Sequence, residues 1–104
     1  MSQKRGVVLK YSQRIRLDLM PYFVWEPLAR AALRATPRLQ ARQILIALNQ
    51  YARSAQGDVA LMKGKPAGRL RLRCGDYRVI FGKSGADEYQ IVKVGHRREI
   101  YRED

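Results

Sequence analysis

Residues 69–82 read Arg-Leu-Arg-Leu-Arg-Cys-Gly-Asp-Tyr-Arg-Val-Ile-Phe-Gly, and this stretch decides the fold of the chain. Its first half alternates arginine with leucine or cysteine, which is the period-2 pattern of a half-buried strand. Gly75-Asp76 has turn chemistry, and residues 77–81 are rich in β-branched and aromatic side chains. The stretch therefore predicts a β-hairpin with guanidinium groups on one face of its first strand and apolar side chains on the other.

The arginines of this strand have two interpretations. They could form a solvated outer face, as dispersed charges on a sheet usually do. All of them are arginine, however, and Arg78 and Arg97-Arg98 follow nearby. Because the planar guanidinium fork matches phosphate oxygens, the pattern favours a phosphate-binding surface.

Length and composition indicate one soluble globular domain. The chain has 104 residues, of which 46% are hydrophobic and 29% charged, and no apolar run is long enough for a membrane span. A formal net charge of +12 suits a nucleic-acid partner, an acidic protein partner, or both. The lone Cys74 excludes an internal disulfide, the lone His96 excludes a multi-histidine metal centre, and we expect a cytoplasmic protein.

The rest of the chain predicts one domain over residues 21–104, preceded by an extension at 1–20 that could form short strands or a basic arm. Residues 21–25 are a strand candidate, and Pro27 suits the first position of a helix. We expect Thr36 to cap a second helix that runs to about Arg53.

Further strands are expected after the helices. Residues 59–62 predict a brief ordered piece, and residues 88–95 predict a strand. This order of elements indicates an α+β fold, in which a curved antiparallel sheet packs against an N-terminal helical hairpin.

Two segments of the chain resemble the RelE/ParE superfamily of bacterial toxins. They are Leu-Arg-Cys-Gly-Asp-Tyr-Arg-Val-Ile-Phe at 72–81 and Val-Gly-His-Arg-Arg-Glu-Ile-Tyr at 94–101. The superfamily carries a similar pattern, yRlRvGdYRviy followed by vgHRreVY. The helical hairpin and Leu-Met-Lys-Gly at 61–64 agree with it too, so the resemblance covers residues 21–101 and implies a RelE-like fold of the microbial-ribonuclease type.

The resemblance implies a toxin of a type II toxin–antitoxin system. RelE-like members cleave mRNA without a metal, commonly in the ribosomal A site, and a cognate antitoxin blocks them in a hetero-oligomer. We therefore expect a metal-independent endoribonuclease that needs no cofactor, with an antitoxin, mRNA and the ribosome as partners and no membrane contact. The alternatives are a ParE-like inhibitor of DNA gyrase, and a catalytically inactive module that binds RNA or antitoxin.

The resemblance also assigns candidate site residues. The catalytic set is Arg71, Arg78, His96, Arg97 and Tyr101, and the substrate-binding set is Lys63, Lys65, Arg69, Arg73 and Arg98. RNA cleavage without a metal requires cations around the phosphorane and groups that transfer protons.

The general base is open on sequence alone. Guanidinium groups supply charge but accept protons poorly, and RelE has lysines where this strand has arginines. The imidazole of His96 suits proton transfer, or it could simply complete a turn. Tyr101 could stack on a base or anchor the tail. We interpret Asp76 and Glu99 as partners of orienting ion pairs.

Overall fold

A computed structural model of the chain describes residues 22–64 and 66–101. The predicted extension at 1–20 lies outside the described residues. The elements follow the order β1 (Tyr22–Trp25), α1 (Pro27–Ala35), α2 (Arg38–Ser54), β2 (Val59–Leu61), β3 (Arg69–Cys74), β4 (Tyr77–Gly85) and β5 (Glu88–His96).

The five strands form one sheet in the order β1-β5-β4-β3-β2. The predicted α+β fold and its helical hairpin are confirmed. The sheet is mixed rather than wholly antiparallel, because β1 pairs with β5 in parallel. The two helices and three other strands separate β1 from β5 along the chain. Since no hairpin turn joins β1 to β5, nothing forces them to be antiparallel.

The main core lies between the sheet and the helices. Apolar residues of the three central strands face Ala29 of α1 and Ile44 and Leu48 of α2; they are Leu72, Val79, Phe81, Ile91 and Val94. Leu45, next to Ile44 on α2, is 46% exposed. Successive helical residues are about 100° apart, so the neighbour of a fully buried Ile44 turns toward solvent.

The junction of the two helices differs from the sequence prediction. Thr36 does not cap α2; it ends α1, where its hydroxyl donates to the Ala32 carbonyl at 2.8 Å and its N–H donates to the Leu33 carbonyl at 3.1 Å. Pro37 is the reason: it is itself extended, with φ −53° and ψ 143°, and takes the N-cap position of α2, so Thr36 lies one residue too early to cap that helix. Thr36 has φ −76° and ψ 140°.

Glu26 and Gln90 tie the start of α1 to the sheet. Pro27 occupies the start of the helix, as predicted, and the Gln90 side-chain amide donates to the Glu26 carboxylate at 2.7 Å. The Glu26 N–H also donates to the Ile91 carbonyl at 3.0 Å and extends the parallel pairing of β1. These bonds hold the helical layer on one side of the sheet. No helix or strand of the described residues packs on the other side, which we call the open side.

Candidate functional site: an arginine face on the open side of the sheet

Four arginines lie on the side of the sheet opposite the helices, and we call this surface the arginine face: Arg69, Arg71 and Arg73 of β3, and Arg78 of β4. The strand register defines it. Arg73 pairs with Arg78, which pairs with Gly95, and Arg71 pairs with Ile80, which pairs with Lys93. Directly paired residues project from the same face. The alternate residues Leu72 and Val79 point into the main core.

The guanidinium groups of β3 have no carboxylate to neutralise them in the part of the chain that the structure describes. The Nε atom of Arg71 is buried and has no hydrogen-bond acceptor there. A buried donor without an acceptor is costly, so this atom favours an incoming oxygen. The arginine face is therefore cationic and incompletely hydrogen-bonded.

Arg78 differs from the arginines of β3 because its guanidinium is anchored. Its Nη1 donates to the Gly75 carbonyl at 2.8 Å and to the Tyr77 carbonyl at 3.0 Å. The side chain thereby closes the turn between β3 and β4. Its position is fixed before any ligand binds, and the remaining N–H groups stay available.

A cavity of about 210 Å³ continues the arginine face toward the connection between β2 and β3. Ile80 and Val92 provide apolar lining, and Lys63, Arg69 and Lys93 provide the basic lining. The structure thus brings together two predicted substrate contacts, Lys63 and Arg69. Lys65, a third, lies outside the described residues.

The chain after β5 folds back onto the arginine face. Ile100 is only 2% exposed, and a Cβ built on Gly95 would lie 3.3 Å from its Cδ1 atom. Because Gly95 pairs with Arg78, this contact places the tail beside the anchored arginine. Tyr101 follows and is 50% exposed.

Arg97 and Asp76 form the ion pair that the sequence suggested. Arg97 Nε lies 3.4 Å from Asp76 Oδ1, and the Arg97 N–H donates to the Asp76 carbonyl at 2.7 Å. Both side chains are more than half exposed, so the pair contributes little to stability. Its effect is to hold the first residue of the tail against the β3–β4 turn.

His96 is not on the arginine face. It pairs with Tyr77, which pairs with Cys74, and these residues project to the helical side of the sheet. The His96 and Tyr77 rings meet edge to face at a centroid distance of 5.6 Å. Both line a cavity of about 390 Å³ beside Gln40 and Gln43 of α2. Strand alternation counted from Ile91 would not have predicted this placement, because β5 is irregular at Val92, between the pairs Phe81–Ile91 and Ile80–Lys93.

The histidine also has a backbone partner. The Arg98 N–H donates to His96 Nδ1 at 3.2 Å, and the His96 carbonyl accepts the N–H groups of Glu99 and Ile100 at 2.8 and 2.9 Å. A neutral imidazole that accepts at Nδ1 carries its proton on Nε2. In this arrangement neither ring nitrogen can act as a base without breaking a contact or changing tautomer.

Cys74 lies in the same row as His96 but supplies no nucleophile. Burial raises the pKa of the Cys74 thiol, because desolvation disfavours the thiolate. Tyr77 lies between Cys74 and His96 in the pairing of the three strands. The thiol is therefore a neutral packing group.

Sequence reasoning missed two residues that shape the site, Gly95 and Ile100. A single isoleucine in an otherwise charged tail was the available signal for a buried anchor. A glycine inside a strand commonly marks a close approach of another segment, and here that segment is the tail.

Solved structures with a similar fold include toxin–antitoxin proteins. A chain of the RelBE2 complex from Mycobacterium tuberculosis has a TM-score of 0.62 and 22% identity, over 75% of this chain and 100% of that one. A chain of the archaeal RelE–RelB complex from Pyrococcus horikoshii has a TM-score of 0.62 and 23% identity, over 77% and 98%. The YoeB dimer from Staphylococcus aureus has a TM-score of 0.63 at 13% identity, over 73% and 95%. These similarities establish the RelE-like toxin fold.

The family model of the ParE toxin of the type II toxin–antitoxin system parDE matches residues 23–101. The chain therefore belongs to the RelE/ParE family and is the toxin of a type II system. The chain has no significant sequence match among curated proteins. Within the described residues, no helix is long and apolar enough to span a membrane.

Proposed function

We propose that this toxin is a metal-independent endoribonuclease that cleaves mRNA in the cytoplasm, at the ribosome, and thereby stops translation. The observation that carries the proposal is the arginine face. Its β3 guanidinium groups have no carboxylate partner among the described residues, and Arg71 Nε is buried without an acceptor. A phosphate supplies the missing negative charge, and its oxygens match the guanidinium fork as bidentate acceptors.

The reaction is an attack of the ribose 2′-oxygen on the adjacent phosphorus. The 2′-hydroxyl loses its proton, the bond from phosphorus to the 5′-oxygen breaks, and that oxygen gains a proton. The products are a 2′,3′-cyclic phosphate and a 5′-hydroxyl, and no water is consumed. Negative charge accumulates on the phosphorane, where fixed cations are most effective. One preorganised donor of this kind contributes about 10²–10³ in rate.

The side chains divide into two groups in this mechanism. Arg71 and the anchored Arg78 stabilise the phosphorane, and Arg97 and Tyr101 complete the catalytic set from the tail. The substrate contacts are Lys63, Lys65, Arg69, Arg73 and Arg98. Alternate residues of a strand are about 6.6 Å apart, so Arg69, Arg71 and Arg73 present three charges along an extended RNA strand.

The proposed partner is a cognate antitoxin with an acidic segment. The net charge of +12 and the unneutralised arginine face motivate this choice. Similar structures are toxin–antitoxin complexes, namely RelBE2 and YoeB–YefM. We expect the acidic segment to cover the arginine face and the tail from His96, so charge reversal of both should abolish the complex. A complex that survives the double reversal would contradict this docking.

Gyrase inhibition is the second candidate function. The observation that favours it is the separation of His96 from the arginine face, which leaves that face without an imidazole. A gyrase inhibitor needs a binding surface but no group for proton transfer.

Induced expression distinguishes the two candidates. We expect the chain alone to arrest growth, with protein synthesis falling before DNA synthesis and with fragmented mRNA. Arg38→Gln, an exposed change on α2, should arrest growth equally well, whereas Arg71→Gln should not. Intact mRNA together with gyrase-linked DNA breaks would establish gyrase inhibition instead.

A further inference from the structure

We infer that His96 is a positioning residue: its neutral imidazole accepts a backbone hydrogen bond from the tail on one side of the sheet and thereby holds the tail on the other side. This role replaces the proton-transfer role that the sequence suggested for His96. This role rests on the proposed function where RNA cleavage or toxicity is the readout. Where the hydrogen bond between Arg98 and His96 is observed directly, the role is independent of that function.

The hydrogen bonds converge on a single residue. His96 accepts three N–H groups of the next four residues: Arg98 at Nδ1, and Glu99 and Ile100 at its carbonyl oxygen. A side chain that accepts the N–H two residues ahead favours a turn over an extended chain. The chain therefore turns immediately after β5 instead of continuing the strand.

The turn after β5 determines where Ile100 packs. It delivers Ile100 to the position above Gly95, where the isoleucine is 2% exposed and a Cβ on residue 95 would lie 3.3 Å from its Cδ1 atom. Tyr77 holds the imidazole from the side through an edge-to-face contact. The tail is thus attached by the hydrogen bond to Nδ1, by the two bonds to the His96 carbonyl and by the Arg97–Asp76 contacts. It is also attached by the packing of Ile100 beside Gly95, the strand partner of Arg78.

The attachment at the ring requires only a hydrogen-bond acceptor in the place of Nδ1. Cys74, Tyr77 and Asp76 line the same cavity as His96, together with Gln40 and Gln43 of α2. The positioning role therefore predicts that another acceptor of the right reach can replace the imidazole.

Three substitutions separate positioning from proton transfer. In His96→Asn the amide oxygen can occupy the place of Nδ1 and accept the N–H two residues ahead, but it cannot transfer a proton. In His96→Gln the amide lies one methylene farther out, and His96→Ala has no acceptor. We expect His96→Asn to arrest growth like the wild type, and the other two to lose about tenfold or more in toxicity, as misplaced site residues commonly do.

Other growth outcomes overturn the inference. If His96→Asn is as inactive as His96→Ala, the imidazole acts through its own proton. If all three variants are fully toxic, the histidine positions nothing. Ile100→Ala leaves the histidine intact but removes the packing of the tail on Gly95, so it should also lose toxicity, and a fully toxic Ile100→Ala contradicts the importance of the tail. Circular dichroism melting checks that each variant is folded.

Nitrogen-15 NMR of the full-length chain tests the inference without any activity. We expect the neutral His96 ring to be the Nε2–H tautomer, and the Arg98 amide to exchange more slowly in the wild type and His96→Asn than in His96→Ala. An Nδ1–H tautomer, or equal exchange in the three proteins, overturns the inference. If these expectations hold while mRNA stays intact in induced cells, the positioning role stands and only the ribonuclease proposal fails.

Discussion

Arg73 and Arg78 lie directly opposite each other on β3 and β4, on the open face of the sheet. Like charges at directly opposed positions destabilise a sheet by about 0.2–1 kcal/mol. Arg78 is held in place by two turn carbonyls, whereas Arg73 is exposed and has no carboxylate partner in the described chain. The fold retains this repulsion, which a negatively charged ligand bound at the arginine face would relieve.

Removal of Arg73 should therefore stabilise the fold, whereas removal of Arg78 should destabilise it. Arg73→Gln should raise the free energy of unfolding by up to about 1 kcal/mol, because it relieves the repulsion. Arg78→Gln also loses the bonds to the turn and should lower it by about 1 kcal/mol. Urea denaturation of both variants measures the difference. A destabilised Arg73→Gln would show that the arginine pair is not under electrostatic strain.

Salt dependence reports how many arginines contact phosphates. Each contact with single-stranded RNA adds about 0.7 to the slope of log affinity against log salt concentration. Arg71→Gln should reduce the slope by about that amount, and Arg38→Gln, on the helical side, should leave it unchanged. Fluorescence anisotropy with a short RNA oligomer at several salt concentrations is the measurement. An unchanged slope in Arg71→Gln would remove that arginine from the phosphate site.

The end of α2 offers a stabilising change that leaves the site untouched. Ala55 terminates the helix in the left-handed conformation at φ 59°, which glycine adopts without steric cost. Ala55→Gly should raise the free energy of unfolding by about 0.5–1 kcal/mol. Ala52→Gly, inside the same helix, is the control and should lower it by about 1 kcal/mol. Thermal melting should place the two variants on opposite sides of the wild type, and a destabilised Ala55→Gly would refute the interpretation.

Most of the fold follows from local sequence patterns. The alternation of arginine with apolar residues defined β3 and its two faces, and Pro27 identified the start of α1. The parallel pairing of β1 with β5 is different, because it depends on two segments more than sixty residues apart whose contact no local pattern encodes. Thr36 was assigned to the wrong helix because Pro37 itself takes the N-cap position of α2, which a proline in the usual first helical position would have left to Thr36.

The candidate site was predictable in composition but not in arrangement. The resemblance identified the basic strand and the tail residues, and the arginine face follows from alternation along β3. The sequence does not reveal that His96 projects to the helical side or that its Nδ1 accepts a backbone N–H. Side-chain direction at the end of β5 depends on the register with Tyr77, which is a tertiary property.

The chemistry of the RNA ends is the most direct test of the proposed endoribonuclease activity. Messenger RNA from cells that express the wild-type toxin should contain new breaks with 5′-hydroxyl and 2′,3′-cyclic phosphate ends, as attack by the 2′-oxygen requires. These ends can be mapped by a ligase specific for 5′-hydroxyl RNA. They should be absent with Arg71→Gln and present with Arg38→Gln. New ends that carry a 5′-phosphate, or growth arrest without new RNA ends, would contradict the account.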